Sequence, residues 1–191
     1  MEDKKEYIIQ KLSDLLNQYT KEELIPLFKN FHTKLDTDVE TFLVEKAIGY
    51  ENTGAGRTYL IVNPKNGNDI YGFFTIGLNT LNFKDGFDDV DLPYNGAELY
   101  KDNNLPVYVL FLIGKNDTCP KKIKMFEIFN DYGISIIQQS KHNVGGSILY
   151  IDCTDNLVEK YVKLKFEQFS VHEINDPKDG TIGLNTMIRS I

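Results

Sequence analysis

The chain has 191 residues, 41% hydrophobic, 26% charged and 12% aromatic, a composition of globular proteins and not of disordered or fibrous ones, and its length suits a single domain, 1–191, with one core. A formal net charge of -7 argues against nucleic acid and anionic membrane as partners, since both are bound chiefly through basic surface. The opening "MEDKKEYIIQ" lacks the apolar run of a signal peptide and no later stretch has the length of a membrane span, so a cytoplasmic address is expected.

Residues 1–56 read as helices. Ile8, Leu12, Leu15, Leu16 and Tyr19 recur at helical spacing and predict one apolar stripe. Thr20 with Glu23, and Thr37 with Glu40, are capping-box pairs ahead of "LIPLFKNF" and "TFLVEKAIGY", with Pro26 expected to kink or shorten the first helix. Val39, Phe42, Leu43, Ala47 and Tyr50 share a face of the second, which Gly54 and Gly56 should end. The period then changes. "RTYLIVN" (57–63) and "IYGFFTIGLN" (70–79) are rich in β-branched and aromatic residues, and "PKNGND" between them carries an Asn-Gly turn signal, so an antiparallel hairpin is expected.

A long excursion with Asp85, Asp88, Asp89 and Asp91 follows, suited to a solvated loop or to steering a cationic amine. "VYVLFLIG" (107–114) is uninterruptedly apolar, as a central strand covered on both faces should be. "KKIKMFEIFNDYGISIIQQSKHN" reads as a buried helix, with Pro120 suited to its first turn. "SILYIDCT" is a strand, "NLVEKYVKL" a helix, and "KFEQFSV" and "LNTMIRSI" two final strands. Cys119 and Cys153 stand in no metal-ligand or C-x-x-C spacing and are expected to be free thiols.

With "FLVEKAIGYENTGAGRTYLIVN", "IYGFFTIGLN" and "VGGSILYIDCTDNLVEKYVKLKF" in this order, nearly the whole chain resembles the GNAT-type N-acetyltransferase superfamily, in its bacterial subgroup. The resemblance implies an α/β (α+β) fold: a mixed, mostly antiparallel central sheet flanked by helices, with the N-terminal helices in 1–56 and the sheet and acyl-CoA site in 57–191. It implies acetyl-CoA as cosubstrate, no metal, and transfer of acetyl to an amine of a small molecule or protein. Asn156, Tyr161 and the ending "KLKF" occupy the places of the superfamily's final-helix motif, with Lys165 where glycine is usual.

Acetyl transfer from a thioester to an amine needs a neutral amine, stabilisation of developing oxyanion charge, and a proton for the departing thiolate. On helix position alone Tyr161 reads as a residue filling a core edge; the resemblance reverses this and makes it the proton donor. Leu112, Ile113 and Gly114 take the places where a pantetheine arm pairs with strand backbone. Lys121, Lys122, Ile123, Lys124, Met125 and Phe126 take those of the diphosphate loop, which here has no glycine but offers three ammonium groups beside a helix start. No general base stands out: Asp152 and His142 are the candidates, each also suited to a capping or surface role. A GNAT-like binding protein without catalysis is the alternative.

Overall fold

In the computed structural model, which describes residues 6–34, 37–82, 104–176 and 180–191, the first apolar stripe is divided between a strand and a helix. Ile8–Lys11 is β1, paired antiparallel with the next strand from Ile8 opposite Val62 to Lys11 opposite Tyr59. An unpaired sheet edge leaves backbone donors and acceptors unsatisfied. That edge gives these four residues a use for their backbone that overrides the helical spacing of Ile8. Only Leu12–Leu16 forms a helix, α1, whose Leu12 is wholly buried.

The chain divides into two packed units: Met1–Gly77 with Leu110–Gly133, and Leu78–Val109 with Ile134–Ile191. The first contains β1, α1, α2 (Lys21–Phe28), α3 (Thr37–Thr41), a π-helical turn at Phe42–Lys46 and α4 (Ala47–Thr53). It also holds β2 (Gly56–Asn63), which pairs antiparallel with the first part of β3 (Asn66–Asn82). The Thr20 capping box forms as expected: the Glu23 amide donates to Thr20 Oγ1 and the Thr20 amide to the Glu23 carboxylate, at 3.3 and 2.8 Å. Pro26 lies inside α2, which ends at Phe28.

Thr37 is itself the first helical residue of α3, and the Glu40 carboxylate accepts instead from the Thr33 amide at 2.6 Å. The hairpin turn lies on Pro64-Lys65, since Asn63 pairs with Asn66 and the Asn-Gly dipeptide opens β3. Proline presets the φ of a turn's second residue, and Asn63 Oδ1 accepts from the Lys65 amide at 3.0 Å.

Phe31 meets Phe73 edge-on at 5.3 Å between centroids, and Phe42 lies parallel to Phe73 at 6.3 Å. Full burial of such rings contributes about 2–3 kcal/mol each. Polar groups inside are paired: Thr58 and Thr75 share a hydrogen bond across β2 and β3, and Glu51 accepts from the Thr58 amide and from Arg57.

β4 (Asn104–Lys115) passes from the second unit, where Val107, Tyr108 and Val109 are buried, into the first. In the second unit it runs parallel to β5 (Ile148–Cys153), with Tyr108 opposite Leu149 and Val109 opposite Tyr150. β7 (Gly180–Ser190) pairs antiparallel with β5 and with β6 (Glu167–Asp176). The result is a seven-stranded, mostly antiparallel sheet in the order β1-β2-β3-β4-β5-β7-β6.

The helical run after β4 consists of α5 (Met125–Ile128), a π-helical turn at Phe129–Gly133 and α6 (Ile134–Val144); α7 (Asp155–Lys163) follows β5. Gly145 and Gly146 join α6 to β5 at φ of 85° and 92°. A Cβ on Gly146 would lie 2.7 Å from the Tyr108 ring, whose hydroxyl donates to the Gly145 carbonyl at 2.7 Å. The glycine pair thus lets the chain turn tightly over Tyr108.

Both cysteines are free and buried. Among the described residues no helix is long and apolar enough to cross a membrane, and no group of three or more His, Cys, Asp or Glu is placed to hold a metal. The acidic excursion with Asp85, Asp88, Asp89 and Asp91 lies outside the described residues.

Candidate active site

At the end of β4 in the first unit, Leu112 packs against the apolar core, Ile113 is half-buried and Gly114 is buried. The strand then turns through Asn116, whose side chain donates to the Ile70 carbonyl at 2.9 Å and accepts from the Thr118 amide and hydroxyl. Lys115 Nζ donates to the carbonyls of Ile123 and Pro120, at 2.6 and 3.3 Å. These bonds fix the path of the segment that sequence reading assigned to the diphosphate. Neither Lys115 nor Asn116 was singled out from the sequence; an Asn just past an apolar strand is the only local signal they carry.

That segment departs from expectation in where its helix begins. Lys121 and Lys122 lie in a turn, Lys124 precedes the helix, and Met125 is its first residue. The turn is stabilised by the Ile123 amide donating to the Pro120 carbonyl at 3.0 Å, which replaces a helical start at Pro120. The bulky residues turn inward: Ile123 and Met125 are both 3% exposed. Met125 occupies the space that Gly72 leaves, where an added Cβ would be 2.4 Å from its sulfur and 2.6 Å from the Gly114 carbonyl oxygen.

Lys121, Lys122 and Lys124 face solvent and Phe126 is half-buried, while Lys122 forms an ion pair with Glu6. The bulky side chains of the segment thus point inward and its three ammonium groups outward, that of Lys122 towards Glu6. Burial pushes the nearby Cys119 thiol up in pKa, against the opposing effect of Lys115.

In the second unit, α7 starts directly at Asp155 after an extended Thr154. Thr154 Oγ1 donates to Asn156 Oδ1 at 2.6 Å, so the exposed Asn156 is held by a local bond. The other end of α7 explains the "KLKF" motif. The Lys165 amide donates to the Val162 carbonyl at 2.9 Å and the Phe166 amide to the Tyr161 carbonyl at 3.1 Å. These are the paired bonds of a Schellman cap, with Lys165 at φ of 64° in the position that favours glycine.

The apolar contact that accompanies such a cap is Phe166 against Tyr161, edge-on at 5.4 Å. Tyr161 is 1% exposed. Burial, assisted by the neighbouring Cys153 thiol, pushes its phenol well above the ordinary tyrosine range. Its proton is retained throughout neutral pH, which is the form a proton donor requires, at the expense of a steeper transfer.

On another part of the second unit, Asp152 of β5 stands opposite Thr186 of β7, and His172 of β6 stands opposite Leu184, two residues from Thr186. The Thr186 hydroxyl lies 2.7 Å from Asp152 Oδ1 and 3.3 Å from His172 Nδ1; His172 Nε2 is 4.0 Å from Asp152 Oδ2. Asp152 was foreseen as a candidate base. His172 was not, because its partners come from strands remote in sequence. His142 lies exposed in the last turn of α6, where a basic side chain complements the helix end.

The fold these elements build is the GNAT-type N-acetyltransferase fold. It is shared with a tyrosine-to-phenylalanine mutant of the toxin AtaT bound to the C-terminus of the antitoxin AtaR and acetyl-CoA, at a TM-score of 0.67 and 10% identity over 97% of this chain and 93% of that one. AtaT complexed with acetyl-methionyl-tRNAfMet matches at a TM-score of 0.63 and 12% identity over 93% of each chain. A tyrosine-to-phenylalanine mutant of KacT matches at 0.65 and 13% identity over 94% of this chain and 95% of that one.

No protein-family model matches the chain, and no curated protein matches it in sequence. One of these neighbours holds a tRNA derivative, so the expected exclusion of nucleic acid is not borne out. Net charge sums over the whole surface, whereas a polyanion is bound by a local one.

Proposed function

We propose that this chain is an acetyl-CoA-dependent N-acetyltransferase acting on an amine of a small molecule or protein. The observation that carries the reading is the GNAT fold over 97% of the chain, shared with a structure that holds acetyl-CoA. Acetyl-CoA supplies the activated acetyl group. In this reading Leu112, Ile113 and Gly114 offer strand backbone to its pantetheine arm. Lys121, Lys122 and Lys124, with Ile123 ahead of the helix and Met125 and Phe126 at its first turn, offer positive charge and amides to its diphosphate. By the resemblance, Asn156 is a cofactor-binding residue and Tyr161 donates the proton that the leaving thiolate needs.

The AtaT complex makes the α-amine of an aminoacyl-tRNA the nucleic-acid acceptor to test first. Exposed Lys160, Lys163 and Lys165 at the end of α7 provide local positive charge for it. A bacterial cytoplasm is the setting this reading carries.

A second reading, a GNAT-like binding protein without catalysis, is favoured by one observation: Tyr161 is 1% exposed and already serves the cap contact with Phe166. Thermal unfolding with acetyl-CoA separates ligand binding from its absence. A ligand that binds only the native state adds about 2.7 kcal/mol at a hundredfold excess over Kd, or about 5–10 °C in Tm for a chain of this length. A Tm unmoved at millimolar acetyl-CoA contradicts both the enzyme reading and any reading that retains the coenzyme.

A further inference from the structure

Pairing between β1 and β2 stops at Lys11 opposite Tyr59, while β2 runs on to Gly56. Where β1 leaves this edge lies a recess of about 170 Å³, lined by Lys11, Ser13, Glu51, Arg57, Thr58 and Tyr59, all of the first unit. Alternation puts Arg57 and Tyr59 on one face of β2, and Lys11, directly opposite Tyr59, shares that face. The space well exceeds the about 30 Å³ that one water takes in the liquid, so a small ion fits.

The buried carboxylate of the recess is already engaged. Glu51 Oε1 accepts from the Thr58 amide at 2.6 Å and Oε2 from Arg57 Nη1 at 3.0 Å, so Glu51 holds the guanidinium and is no ligand for a cation. Every side-chain hydrogen bond of Arg57 runs through Nη1, to Glu51 and to the Gly56 carbonyl. The side-by-side N–H groups of Nε and Nη2, which match two oxygens of one anion, stay available on a half-exposed side chain. Lys11 Nζ and Ser13 Oγ have no partner among the described residues.

Tyr59 is 5% exposed, its ring packed against Phe74 and Tyr132, yet its hydroxyl has no hydrogen-bond partner among the described residues. No fully enclosed side-chain polar atom among those residues lacks a partner. The hydroxyl must therefore reach a surface, and the surface that Tyr59 lines is the recess. Burial above all, then Tyr132 and Glu51, pushes the phenol up to about 12, so it can donate throughout neutral pH.

We propose that this recess binds a phosphate group, as the free ion or as a monoester, through the free edge of Arg57, Lys11, Ser13 and the Tyr59 hydroxyl. These four donor groups suit a ligand with several acceptor oxygens and more than one negative charge at neutral pH, which a phosphate is. A carboxylate brings one charge and two oxygens and is expected to bind more weakly. The two cations outnumber the paired Glu51, and Asp14, exposed in α1, opposes them. None of these residues is among those assigned to acetyl-CoA, so the site stands whether or not acetyl transfer does.

Isothermal titration of the full chain with inorganic phosphate and with glycerol phosphate, against acetate at equal ionic strength, tests this. Saturable phosphate binding is expected, with acetate about tenfold weaker or more. Tighter binding of glycerol phosphate assigns a monoester, and tighter or equal binding of inorganic phosphate the free ion. Tyr59→Phe and Lys11→Met, neither of which takes a partner from Glu51, should each weaken phosphate about tenfold. Lys65→Met, on the exposed hairpin turn, should leave it unchanged. Without ligand, Tyr59→Phe should unfold no lower in temperature than the parent, because no protein group loses a partner. A parent that shows no saturable phosphate binding overturns the proposal, as does acetate binding equally well or either recess variant binding like the parent. A Tyr59→Phe less stable without ligand also overturns it, since the hydroxyl would then serve the fold.

Discussion

Replacing Lys165 by glycine should make the protein more stable, although it deletes a side chain from the end of a helix. Lys165 is held at φ of 64° by the two bonds that close α7. An L-residue in the left-handed region pays about 1–2 kcal/mol, which glycine does not. Glycine returns about 0.4–1 kcal/mol of this through the greater freedom of the unfolded chain. Lys165 is exposed, so no burial is lost and the net gain is about 0.5–1 kcal/mol. For a chain of this size that raises Tm by about 1–4 °C.

Thermal and urea unfolding of parent, Lys165→Gly and Lys165→Val measure it, with the β-branched valine expected below the parent. A glycine variant less stable than the parent, or valine equal to glycine, would refute the claim that the cap, and not the lysine side chain, sets the energy at this position.

Gly72→Ala should destabilise by about 1–3 kcal/mol, because its Cβ would meet the Met125 sulfur at 2.4 Å and the less yielding Gly114 carbonyl at 2.6 Å. Urea unfolding reads this, and Gly72→Ala combined with Met125→Ala should recover only the part due to the flexible side chain. At alkaline pH the protein should weaken. Burial pushes Cys153 up to about 11, with Asp152 and Asp155 adding to it. Burial and the neighbouring Tyr132 push Tyr59 up to about 12.

Both folded values lie above the unfolded ones, about 8.5 for cysteine and about 10 for tyrosine. The stability they give is complete below those values and is lost as pH rises through about 11 and then about 12, by about 3 kcal/mol for a two-unit shift. Unfolding free energies between pH 8 and 11 check this; Cys153→Ala should flatten the earlier part of the decline, and an unaltered slope in that variant would reject the assignment.

The parts of the fold legible in the sequence are those whose own residues specify them. "VYVLFLIG" is apolar at both alternating positions, and it runs through β4, a strand inside the sheet order. Thr20 and Glu23 are a complete cap in four residues. The misread parts are specified from elsewhere. Ile8–Lys11 has helical spacing but takes its conformation from the edge of β2, and Glu40 is drawn from Thr37 to the Thr33 amide.

The hairpin turn was placed on the stronger dipeptide, yet the register of β2 and β3 puts it on Pro64-Lys65. At the candidate site, Tyr161 was legible as a motif position, but its contact with Phe166 requires the helix cap to be seen. His172 was hidden because its two partners lie 14 and 20 residues away along the chain, a count that follows from Thr186 and Asp152 on other strands. The inward turn of Met125 was equally hidden, since the space it fills belongs to Gly72 on β3, remote in sequence.

Tyr161→Phe gives the most direct test of acetyl transfer. It removes one oxygen, keeps the ring against Phe166, and leaves the proposed coenzyme contacts in place. Isothermal titration of parent and variant with acetyl-CoA, followed by thiol release with an amine acceptor, should show equal affinities and a turnover lowered about 100-fold in the variant. Equal turnover would remove Tyr161 from the reaction, and an absence of acetyl-CoA binding by the parent would contradict the proposed activity as a whole.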